Sequence, residues 1–422
     1  METLARDDPE LSKIICAEEK RIESTLDLIA AENHPPPSVM EVLGSVLTTK
    51  TIEGYPGRRF HAGCIHADAV ESLAVKRAVA LFGAEHANVQ PHSGTSANLA
   101  VYFSVLDPGD RVLAMSLTHG GHLSHGHTAS ITSRCFDFTH YPVDAQTERI
   151  DYDTVQILAR KHAPKMIVAG ASAYPRLIDY ERMGEIAREM GAYLMVDMAH
   201  IAGLVAAGVI QSPVPCSDFV TFTCYKTMMG GRGGVVLSRK RFADRLDRAV
   251  FPGSQGTSPV NVMAAKALAF RLAGTKTFFR IQHQTVANAR RLAAGLSDAG
   301  YRIVTGGTDN HQVIIDVGEN GITGAEAEAA LETAGITANR NTIPSDAARP
   351  GNVSGIRLGT GAAASRGMGE KEMARIVALI HAALEGRNDP ARLGRVASQV
   401  RGLCDEFPVY QGSESCLLAA FD

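Results

Sequence analysis

Apolar positions along this chain cluster into short runs, and longer amphipathic stretches separate these runs. Helical stretches of that kind include TSANLAVYFSVL and ERMGEIAREM. The apolar runs are rich in residues that suit buried strands, and the clearest are RVLAMSL (111–117), KMIVAGAS (165–172), AYLMVDMAH (192–200) and FVTFTCY (219–225). Strands and helices that alternate in this way predict an α/β fold, in which a mostly parallel sheet is covered by helices on both faces.

The two ends of the chain show other patterns of apolar residues. Near the start, one helical stripe predicts an amphipathic helix that docks on the body or on a partner, and it comprises Leu11, Ile14, Ile15, Ile22, Leu26 and Ile29. Three prolines in NHPPPSV (33–39) then prevent any helix from continuing. Beyond about residue 275, long helices surround short strands such as HQVIIDV, which indicates a second α+β unit. We therefore predict an N-terminal helical arm (1–35), a large domain (36–275) and a small C-terminal domain (276–422).

Composition narrows the class of protein. The chain has 422 residues, 45% hydrophobic and 21% charged, with a net charge of −3, which is typical of a soluble globular protein and not of a nucleic-acid binder. Its seven cysteines are irregularly spaced, which favours reduced thiols over a disulfide framework. The first residues lack the pattern of a signal peptide, and no run approaches the roughly 18 apolar residues of a membrane span. We expect a cytoplasmic protein that binds neither membrane nor nucleic acid.

Lys226 lies between an apolar run and a cluster of glycines, in FTCYKTMMGGRGGVVL (221–236). A Walker-type phosphate loop needs its glycines before the lysine, whereas here they follow it. A partly desolvated lysine at a strand end, between Thr223 and Thr227, can have a lowered pKa and attack a carbonyl to form a Schiff base. The alternative is an ordinary surface lysine beside a flexible turn.

Two further polar groups fall at predicted strand ends, where open α/β sheets bind ligands. Ser93, Gly94 and Thr95 precede a helical run, and the free N–H groups there could hold a phosphate or simply form a helix cap. Asp197 ends a strand, and a buried carboxylate needs a partner. That partner could be a protonated ring nitrogen of a ligand, or the acid could serve in a salt bridge or a cap. His200 follows three residues later.

Four histidines crowd the segment THGGHLSHGH, at positions 119, 122, 125 and 127. No cysteine or carboxylate accompanies them and the glycines indicate a loop, so we expect no metal and favour a histidine that stacks on a planar ligand. In chain order, the sequence thus offers a phosphate cup, a stacking histidine, an acid for a ring nitrogen and a Schiff-base lysine. Together these four features indicate a pyridoxal-phosphate site.

Several longer blocks resemble the serine hydroxymethyltransferase family. They are GYPGRR, GAEHANVQPHSGTSANLAVYFSVLDPGD, THGGHLSHG, IVAGASAYPR, AYLMVDMAHIAGLVAAG, KT…GGRGGVVL, AVFPGSQG and SGIRLGT, and the resemblance runs from about Leu28 to Tyr410. It implies a fold-type I pyridoxal-phosphate enzyme, with a large cofactor-binding domain. It also implies an obligate homodimer that shares its active sites between subunits, and leaves a tetramer open.

The resemblance also implies roles for individual residues at the cofactor. Lys226 would bind the cofactor covalently, and Asp197 would pair with its pyridine nitrogen. The remaining contacts would be a histidine stacked on the ring (His122), two residues at the phenolic oxygen (Ser172 and His200) and the phosphate ligands (Ser93, Gly94, Thr95 and Gly256 of the partner subunit).

Substrate and folate roles follow from the same resemblance. Arg357, in SGIRLGT, would bind the α-carboxylate of the amino acid through its planar fork. Glu53 would be the proton-handling carboxylate beside the one-carbon unit, with Thr51 and His61 at the substrate and in the catalytic set. Tetrahydrofolate, as the expected co-substrate, would contact Glu53, Phe60, Leu117, Gly121, Leu123 and Asn341.

The sequence departs from the family pattern around the substrate and the lysine. Thr51 stands where the family has tyrosine, and Phe60 and His61 replace a Tyr-Tyr pair. Ala31 replaces the serine of ASEN, and Tyr225 replaces the histidine before the lysine. The family's LRGPRGG has become MMGGRGG. The predicted cofactor ligands are unchanged, so the departures point to an altered substrate.

Several functions remain compatible with these residues. In the α-methylserine branch of the family threonine replaces the active-site tyrosine, and we favour transfer of a hydroxymethyl group from α-methyl-L-serine to tetrahydrofolate. A folate-independent α-methylserine aldolase, ordinary serine hydroxymethyltransferase activity and a threonine-type aldolase or transaldolase stay open. A non-catalytic cofactor-binding regulator is disfavoured because Lys226, Asp197, Glu53 and Arg357 are all retained.

Overall fold

The computed structural model describes residues 2–348 and 353–410. The strands are β1 (Leu26–Asp27), β2 (Gly54–Tyr55), β3 (Arg58–Arg59), β4 (His86–Asn88), β5 (Arg111–Met115), β6 (Asp137–Tyr141), β7 (Met166–Gly170), β8 (Tyr193–Asp197), β9 (Phe219–Thr223), β10 (Gly234–Ser238), β11 (Arg302–Ile303), β12 (Gln312–Asp316), β13 (Ile336–Thr337), β14 (Asn339–Asn341) and β15 (Gly355–Gly359).

Helices connect these strands and cover them. They are α1 (Glu2–Asp7), α2 (Pro9–Ser24), α3 (Pro37–Leu43), α4 (Ile65–Phe82), α5 (Gly94–Val105), α6 (Thr132–Cys135), α7 (Tyr152–His162), α8 (Tyr180–Glu189), α9 (Ala202–Ala206), α10 (Ala243–Arg248), α11 (Val260–Ala273), α12 (Lys276–Asp298), α13 (Gly324–Thr333), α14 (Gly361–Ser365), α15 (Glu370–Glu385) and α16 (Pro390–Glu406).

A seven-stranded sheet forms the centre of the molecule, in the order β4-β10-β9-β8-β7-β5-β6. The pairs from β9 through β6 are parallel, and β10 runs antiparallel to both of its neighbours. Strands β7 and β9 are buried along their whole length because apolar side chains pack on both faces. The predicted α/β fold with a mostly parallel sheet is confirmed.

The four apolar runs that predicted strands become β5, β7, β8 and β9, each ending two to three residues before the run ends. The polar residues after each strand therefore lie in loops at its carboxyl end. Strand β10 was not predicted. It follows directly on the glycine cluster, and its apolar run is only three residues long, Val235 to Leu237, which is too short to indicate a strand.

A second core lies around a four-stranded sheet of order β11-β12-β15-β14, whose neighbouring strands are antiparallel. Helices α12, α13, α15 and α16 supply its apolar side chains, and Leu26 and Leu28 belong to the same cluster. The domain limits at residues 35 and 275 remain predictions.

The N-terminal helical stripe was predicted too long. Helix α2 ends at Ser24, and Leu26 lies in β1, which pairs in parallel with β13 through Leu26 and Ile336. Leu26 is fully buried there, whereas Leu11 and Ile14 on α2 are exposed. After Ser24, strand pairing therefore prevails over the helical periodicity. The backbone groups of β1 pair with those of β13, and a continued helix would leave β13 without this partner.

Within the described ranges, no helix is both long enough and apolar enough to cross a bilayer.

Arg366 fastens the end of α2 to the C-terminal core. Its buried guanidinium donates to four backbone carbonyls, those of Glu23, Thr25, Cys404 and Phe407, at 2.7–3.1 Å. Hydrogen bonds from a charged donor contribute about 1.5–3 kcal/mol each, and unpaired buried carbonyls are costly. We predict that Arg366→Met lowers the free energy of unfolding by about 3 kcal/mol or more, measured by chemical denaturation.

Arg375→Met provides the matched control. Arg375 contacts Glu406 in an ion pair whose two side chains are 46% and 53% exposed, so its loss should cost less than about 1 kcal/mol. Equal costs for the two substitutions would contradict the anchoring role of Arg366.

Candidate active site

The carboxyl ends of the parallel strands meet at one edge of the central sheet. Gly170 pairs with Asp197 at the ends of β7 and β8, and Asp197 pairs with Thr221 near the end of β9. Lys226 lies three residues beyond the end of β9. The loop after β5 brings the histidine segment to the same edge, because the Ser172 N–H donates to the carbonyl of Gly120 at 2.8 Å.

The Asp197 carboxylate is the most heavily bonded group at this edge. Its Oδ2 accepts from Asn98 Nδ2 at 2.8 Å and pairs with His125 Nε2 at 3.1 Å, while Oδ1 accepts from the Ala199 N–H. Burial disfavours the charged carboxylate, but the hydrogen bonds from His125 and Asn98 outweigh it and hold the pKa of Asp197 well below its usual range. A salt-bridge partner was an open alternative for Asp197, and His125 is that partner within the chain.

Asn98 is itself held in place by Thr221. The Thr221 hydroxyl donates to Asn98 Oδ1 at 2.6 Å, which leaves the amide nitrogen facing Asp197 and Ser124. Helix α5 and strand β9 therefore fix the acid from two sides.

His122 lies in a loop, as its glycine neighbours predicted. Its Nδ1 accepts from the Ser124 N–H at 3.1 Å and lies 2.7 Å from the Ser124 hydroxyl. Burial lowers the pKa of His122 to about 4, so the ring is neutral at pH 7 and presents a flat, apolar surface. Gly121 lets this loop approach β5, since a Cβ there would overlap the carbonyl oxygen of Met115.

The start of α5 combines both interpretations offered for the segment 93–95. The Ser93 hydroxyl accepts from the Ser96 N–H in a capping box, so its side chain is a helix cap. Among the described residues, the N–H groups of Gly94 and Thr95 have no acceptor. Two free donors at the positive end of a twelve-residue helix suit a phosphate.

Lys226 is buried yet has no hydrogen-bond partner in the part of the chain that the structure describes. Its pKa is lowered to about 8, mainly by burial, with a smaller contribution from the charges of Arg357 and Arg232 and an opposing one from Asp197. Thr227 anchors its position, because the Thr227 hydroxyl donates to the His200 carbonyl and accepts from the Gly203 N–H. The lysine is therefore fixed at its backbone and free at its amine.

Arg357 reaches this region from β15 of the second sheet. Its Nη1 donates to the Ser172 carbonyl at 2.6 Å and its Nε to Asn339 Oδ1 at 3.1 Å, while Nη2 has no acceptor among the described residues. Burial lowers the pKa of Arg357 to about 10, so it stays charged at pH 7. The free nitrogen suits a carboxylate.

Two stacked histidines, His200 and His311, lie in the same region. The rings of His200 and His311 lie 5.6 Å apart, with 22° between their planes. Burial and the nearby charge of Lys226 hold the pKa of His200 well below its usual range. Both Nδ1 atoms are buried without a partner in the described ranges, and an unmatched buried nitrogen is a place where a ligand atom can bind.

The remaining predicted residues lie on a second group of segments. The Ile52 N–H donates to the Thr257 hydroxyl at 2.8 Å, and the rings of Phe60 and Phe251 lie 5.9 Å apart. Of the predicted site residues on these segments, Thr51, Phe60, His61 and Gly256 are exposed, and Glu53 is half-buried. In the described residues, no hydrogen bond or ion pair joins 51–61 to Lys226, Asp197 or Arg357.

Of the predicted folate positions, Leu117 and Leu123 are exposed, Gly121 is buried and Asn341 is half-buried. A metal was not expected in this region. The structure nevertheless brings three ligand atoms, from His122, His125 and Asp197, within 4.8 Å of one another. Because Asp197 already pairs with His125 and Asn98, we interpret the group as a hydrogen-bonded network, and the absence of a metal remains a prediction.

Sequence analysis missed Asn98, Ser124 and His311 as site residues and gave His125 no role. Asn98 had a recognisable signal, since it is a polar residue on the apolar face of an otherwise buried helix. His311 had none, because its contact with the Ala30 carbonyl joins residues 281 positions apart.

The sequence matches the family model described as serine hydroxymethyltransferase over residues 4–380, and the chain belongs to this family. Its members are pyridoxal-phosphate-dependent hydroxymethyltransferases of fold type I that use tetrahydrofolate in general. The mostly parallel sheet agrees with that fold.

The residues fit pyridoxal phosphate. Among the described residues, Lys226 offers an amine without a partner, Asp197 a carboxylate kept charged, and Gly94 and Thr95 free N–H groups. An aldehyde requires a nucleophile such as this amine, a protonated pyridine nitrogen requires an acceptor such as this carboxylate, and a phosphate requires N–H donors.

We predict that Lys226 in cofactor-free protein is acylated with a half-maximal rate near pH 8, where its pKa lies. Below that pH the amine is protonated and unreactive. Asp197→Asn should shift the profile to lower pH, because the Asp197 charge raises the pKa of Lys226. The measurement is mass spectrometry of the Lys226 peptide after a short pulse of an amine-acylating reagent.

The control is Lys226→Ala, in which this labelled peptide disappears. A midpoint near 10.5, the ordinary value for lysine, would show that Lys226 is solvated and would contradict the site described here.

Proposed function

We propose that the chain transfers a hydroxymethyl group between α-methyl-L-serine and tetrahydrofolate, giving D-alanine, 5,10-methylenetetrahydrofolate and water. The observation that carries this proposal is Thr51, which stands where the family has tyrosine and whose side chain is exposed, as are those of Phe60 and His61. These three positions differ from the family, while the groups suited to the cofactor are present.

The cofactor supplies an electron sink for the charge left at Cα when the bond to the hydroxymethyl group breaks. The chain's own residues hold it: Lys226 covalently, Asp197 at the pyridine nitrogen and His122 over the ring. The other proposed contacts are Ser172 and His200 at the phenolic oxygen, and Ser93, Gly94, Thr95 and Gly256 of the partner subunit at the phosphate.

Arg357 binds the α-carboxylate of the amino acid in this proposal. Its buried charge and the unused Nη2 support that role, because a carboxylate accepts two parallel hydrogen bonds from a guanidinium. The carboxylate thereby fixes which substituent of Cα faces the segment that carries Thr51.

Glu53 moves the proton at the β-oxygen of the substrate. Breaking the Cα–Cβ bond of a hydroxymethyl group leaves a carbonyl, so the hydroxyl must lose its proton as the bond breaks. Glu53 is half-buried on the same segment as Thr51, where a carboxylate can reach a substrate at the subunit interface.

Substrate preference depends on one methyl group. L-Serine carries hydrogen on Cα, whereas α-methyl-L-serine carries methyl at that place, and removal of the hydroxymethyl group from it yields D-alanine after protonation. Threonine in place of tyrosine frees the volume of an aromatic ring near the substrate. Accepting or rejecting a methyl group changes the activation free energy by about 1–3 kcal/mol.

A homodimer is part of the proposal. Exposed apolar side chains are concentrated on residues 40–65, where Val46, Phe60 and Ile65 are 82%, 77% and 76% exposed. Such side chains in one region favour an interface. Thr51 and Glu53 belong to this segment, and the hydrogen bond from the Ile52 N–H to Thr257 joins it to the residue after Gly256. In the proposed dimer, these residues complete the site around Lys226 of the partner subunit.

Folate-independent α-methylserine aldolase activity is the second candidate. The observation that favours it is Phe60, which keeps an aromatic face for a folate but lacks the hydroxyl of the family's tyrosine. A panel of α-methyl-L-serine, L-serine, D-alanine and L-threonine, with and without tetrahydrofolate, separates the candidates. Formaldehyde release without folate would favour the aldolase, and turnover of L-threonine a threonine-type enzyme.

We predict that Glu53→Gln abolishes release of the hydroxymethyl group but leaves amino-acid binding nearly unchanged, since binding depends on Arg357. Binding is read from the change in absorbance of the bound cofactor as amino acid is added, and chemistry from D-alanine formed. Glu53→Asp, which keeps the carboxylate, should retain part of the activity. Equal losses of binding and turnover in Glu53→Gln would assign Glu53 a structural role.

We also predict that α-methyl-L-serine is turned over at least ~10-fold better than L-serine, the low end of the range for one methyl group. Thr51→Tyr should fill the space and shift kcat/KM back toward L-serine, and Thr51→Val, with the same volume, is the control that should not. Efficient turnover of L-serine with no reaction of α-methyl-L-serine, with or without folate, would contradict the substrate assignment.

A further inference from the structure

Lys266 is a fully buried lysine in the middle of α11. Its ammonium donates to three backbone carbonyls, those of Val89 at 2.7 Å, Gly234 at 2.9 Å and Pro91 at 3.0 Å. An ammonium has three N–H donors, so each is used. Nothing in the proposed function accounts for a buried cation at this place.

The three carbonyls belong to two segments that frame the proposed phosphate site. Val89 and Pro91 lie between the end of β4 and Ser93, the cap of α5. Gly234 begins β10, directly after the loop that carries Lys226. This loop is closed by a hydrogen bond from the Cys224 N–H to the Gly233 carbonyl at 3.2 Å.

Two glycines make room for this arrangement. A Cβ on Gly233 would overlap the side chain of Lys266, and a Cβ on Gly234 would overlap the Ser93 carbonyl. Gly233 also has a φ of 140°, which disfavours other residues. The glycines after Lys226 therefore allow the phosphate-binding turn and the buried lysine to approach β10.

Other side chains hold the residue between Val89 and Pro91. The Gln90 carbonyl accepts from the Ser258 hydroxyl at 2.7 Å and from Gln255 Nε2 at 2.8 Å. Every carbonyl from Val89 to Pro91 thus has a side-chain donor, and the irregular chain leading to Ser93 has a single fixed path.

We propose that Lys266 is a positioning residue that holds the phosphate-binding turn at Ser93–Thr95 against the start of β10, so that the free N–H groups of Gly94 and Thr95 converge on the cofactor's phosphate. The proposal rests on the proposed function, because it assumes that this turn binds pyridoxal phosphate. Lys266 itself touches neither the cofactor nor the substrate.

The test compares two cofactors that differ only in the phosphate. Dissociation constants of pyridoxal phosphate and of pyridoxal are measured for cofactor-stripped wild-type protein and for Lys266→Met. The readout is the absorbance of the protein-bound cofactor at about 420 nm. Methionine keeps the length and volume of the chain but donates no hydrogen bond. The dissociation constant of pyridoxal phosphate should rise about tenfold or more, a loss of about 1.4 kcal/mol, while that of pyridoxal changes little.

Lys161→Met, an exposed lysine on α7, is the matched control and should leave both constants unchanged. If Lys266→Met does not fold, Ser258→Ala replaces it, because it removes one donor to the same segment, and it should produce a smaller loss with the same selectivity.

Equal weakening of both cofactors in the folded variant, or no change in either, would overturn the positioning role. Ser258→Ala without a selective loss would do so where Lys266→Met is unfolded. Wild-type protein that binds neither cofactor would instead refute the proposed function, and the role of Lys266 with it.

Discussion

A buried carboxylate at the end of β8 is the constraint on which the rest of the site depends. The pKa of Asp197 is lowered although burial disfavours its charge, because hydrogen bonds and the charge of His125 offset the cost of burial. Asn98, His125 and the Ala199 N–H supply them, and each of these partners fixes another element. Asn98 sets the rotation of α5, and His125 sets the loop that presents His122. The turn at Ser93, five residues before Asn98, caps the same helix.

Two buried lysines, Lys226 and Lys266, have different roles in this proposal. Burial lowers the pKa of both Lys226 and Lys266 to about 8. Lys266 donates all three of its N–H groups to carbonyls, so its amine is not available to react. Lys226 has no such partner among the described residues, so its amine is available once it loses a proton. Hydrogen bonding, rather than burial, separates the structural lysine from the reactive one.

Sequence analysis predicted those parts of the fold that depend on local pattern. Strands β7 and β9 were predictable because uninterrupted apolar runs between turns have few other structures available to them. The pairing of β1 with β13 was not, because it joins residues 310 positions apart and contradicts a local helical stripe. The same holds for the site residues: those with a local signal were predicted, and those that depend on distant contacts were not. Lys226 and Asp197 were found from their places at strand ends, whereas the partner of Asp197 and the role of Lys266 depend on contacts between distant segments. One signal for Lys266 was present but unused, a lone charge within VMAAKALAF.

Thr51, Phe60 and His61 lie where substitution costs the fold least, because their side chains are exposed. Segment 51–61 is fixed through its backbone and through residues other than Thr51, Phe60 and His61. The Ile52 N–H binds Thr257, and Arg59 and Gln90 both donate to the Gly54 carbonyl. Thr51, Phe60 and His61 project outward from this frame, so exchanging them leaves the anchors in place. By contrast, replacing Asn98 or His125 would remove one of the three hydrogen bonds that compensate the charge of Asp197. Different hydrogen bonds hold segment 51–61 and the groups suited to the cofactor. Substitutions at Thr51, Phe60 and His61 can therefore change the substrate contacts while the groups suited to the cofactor stay fixed.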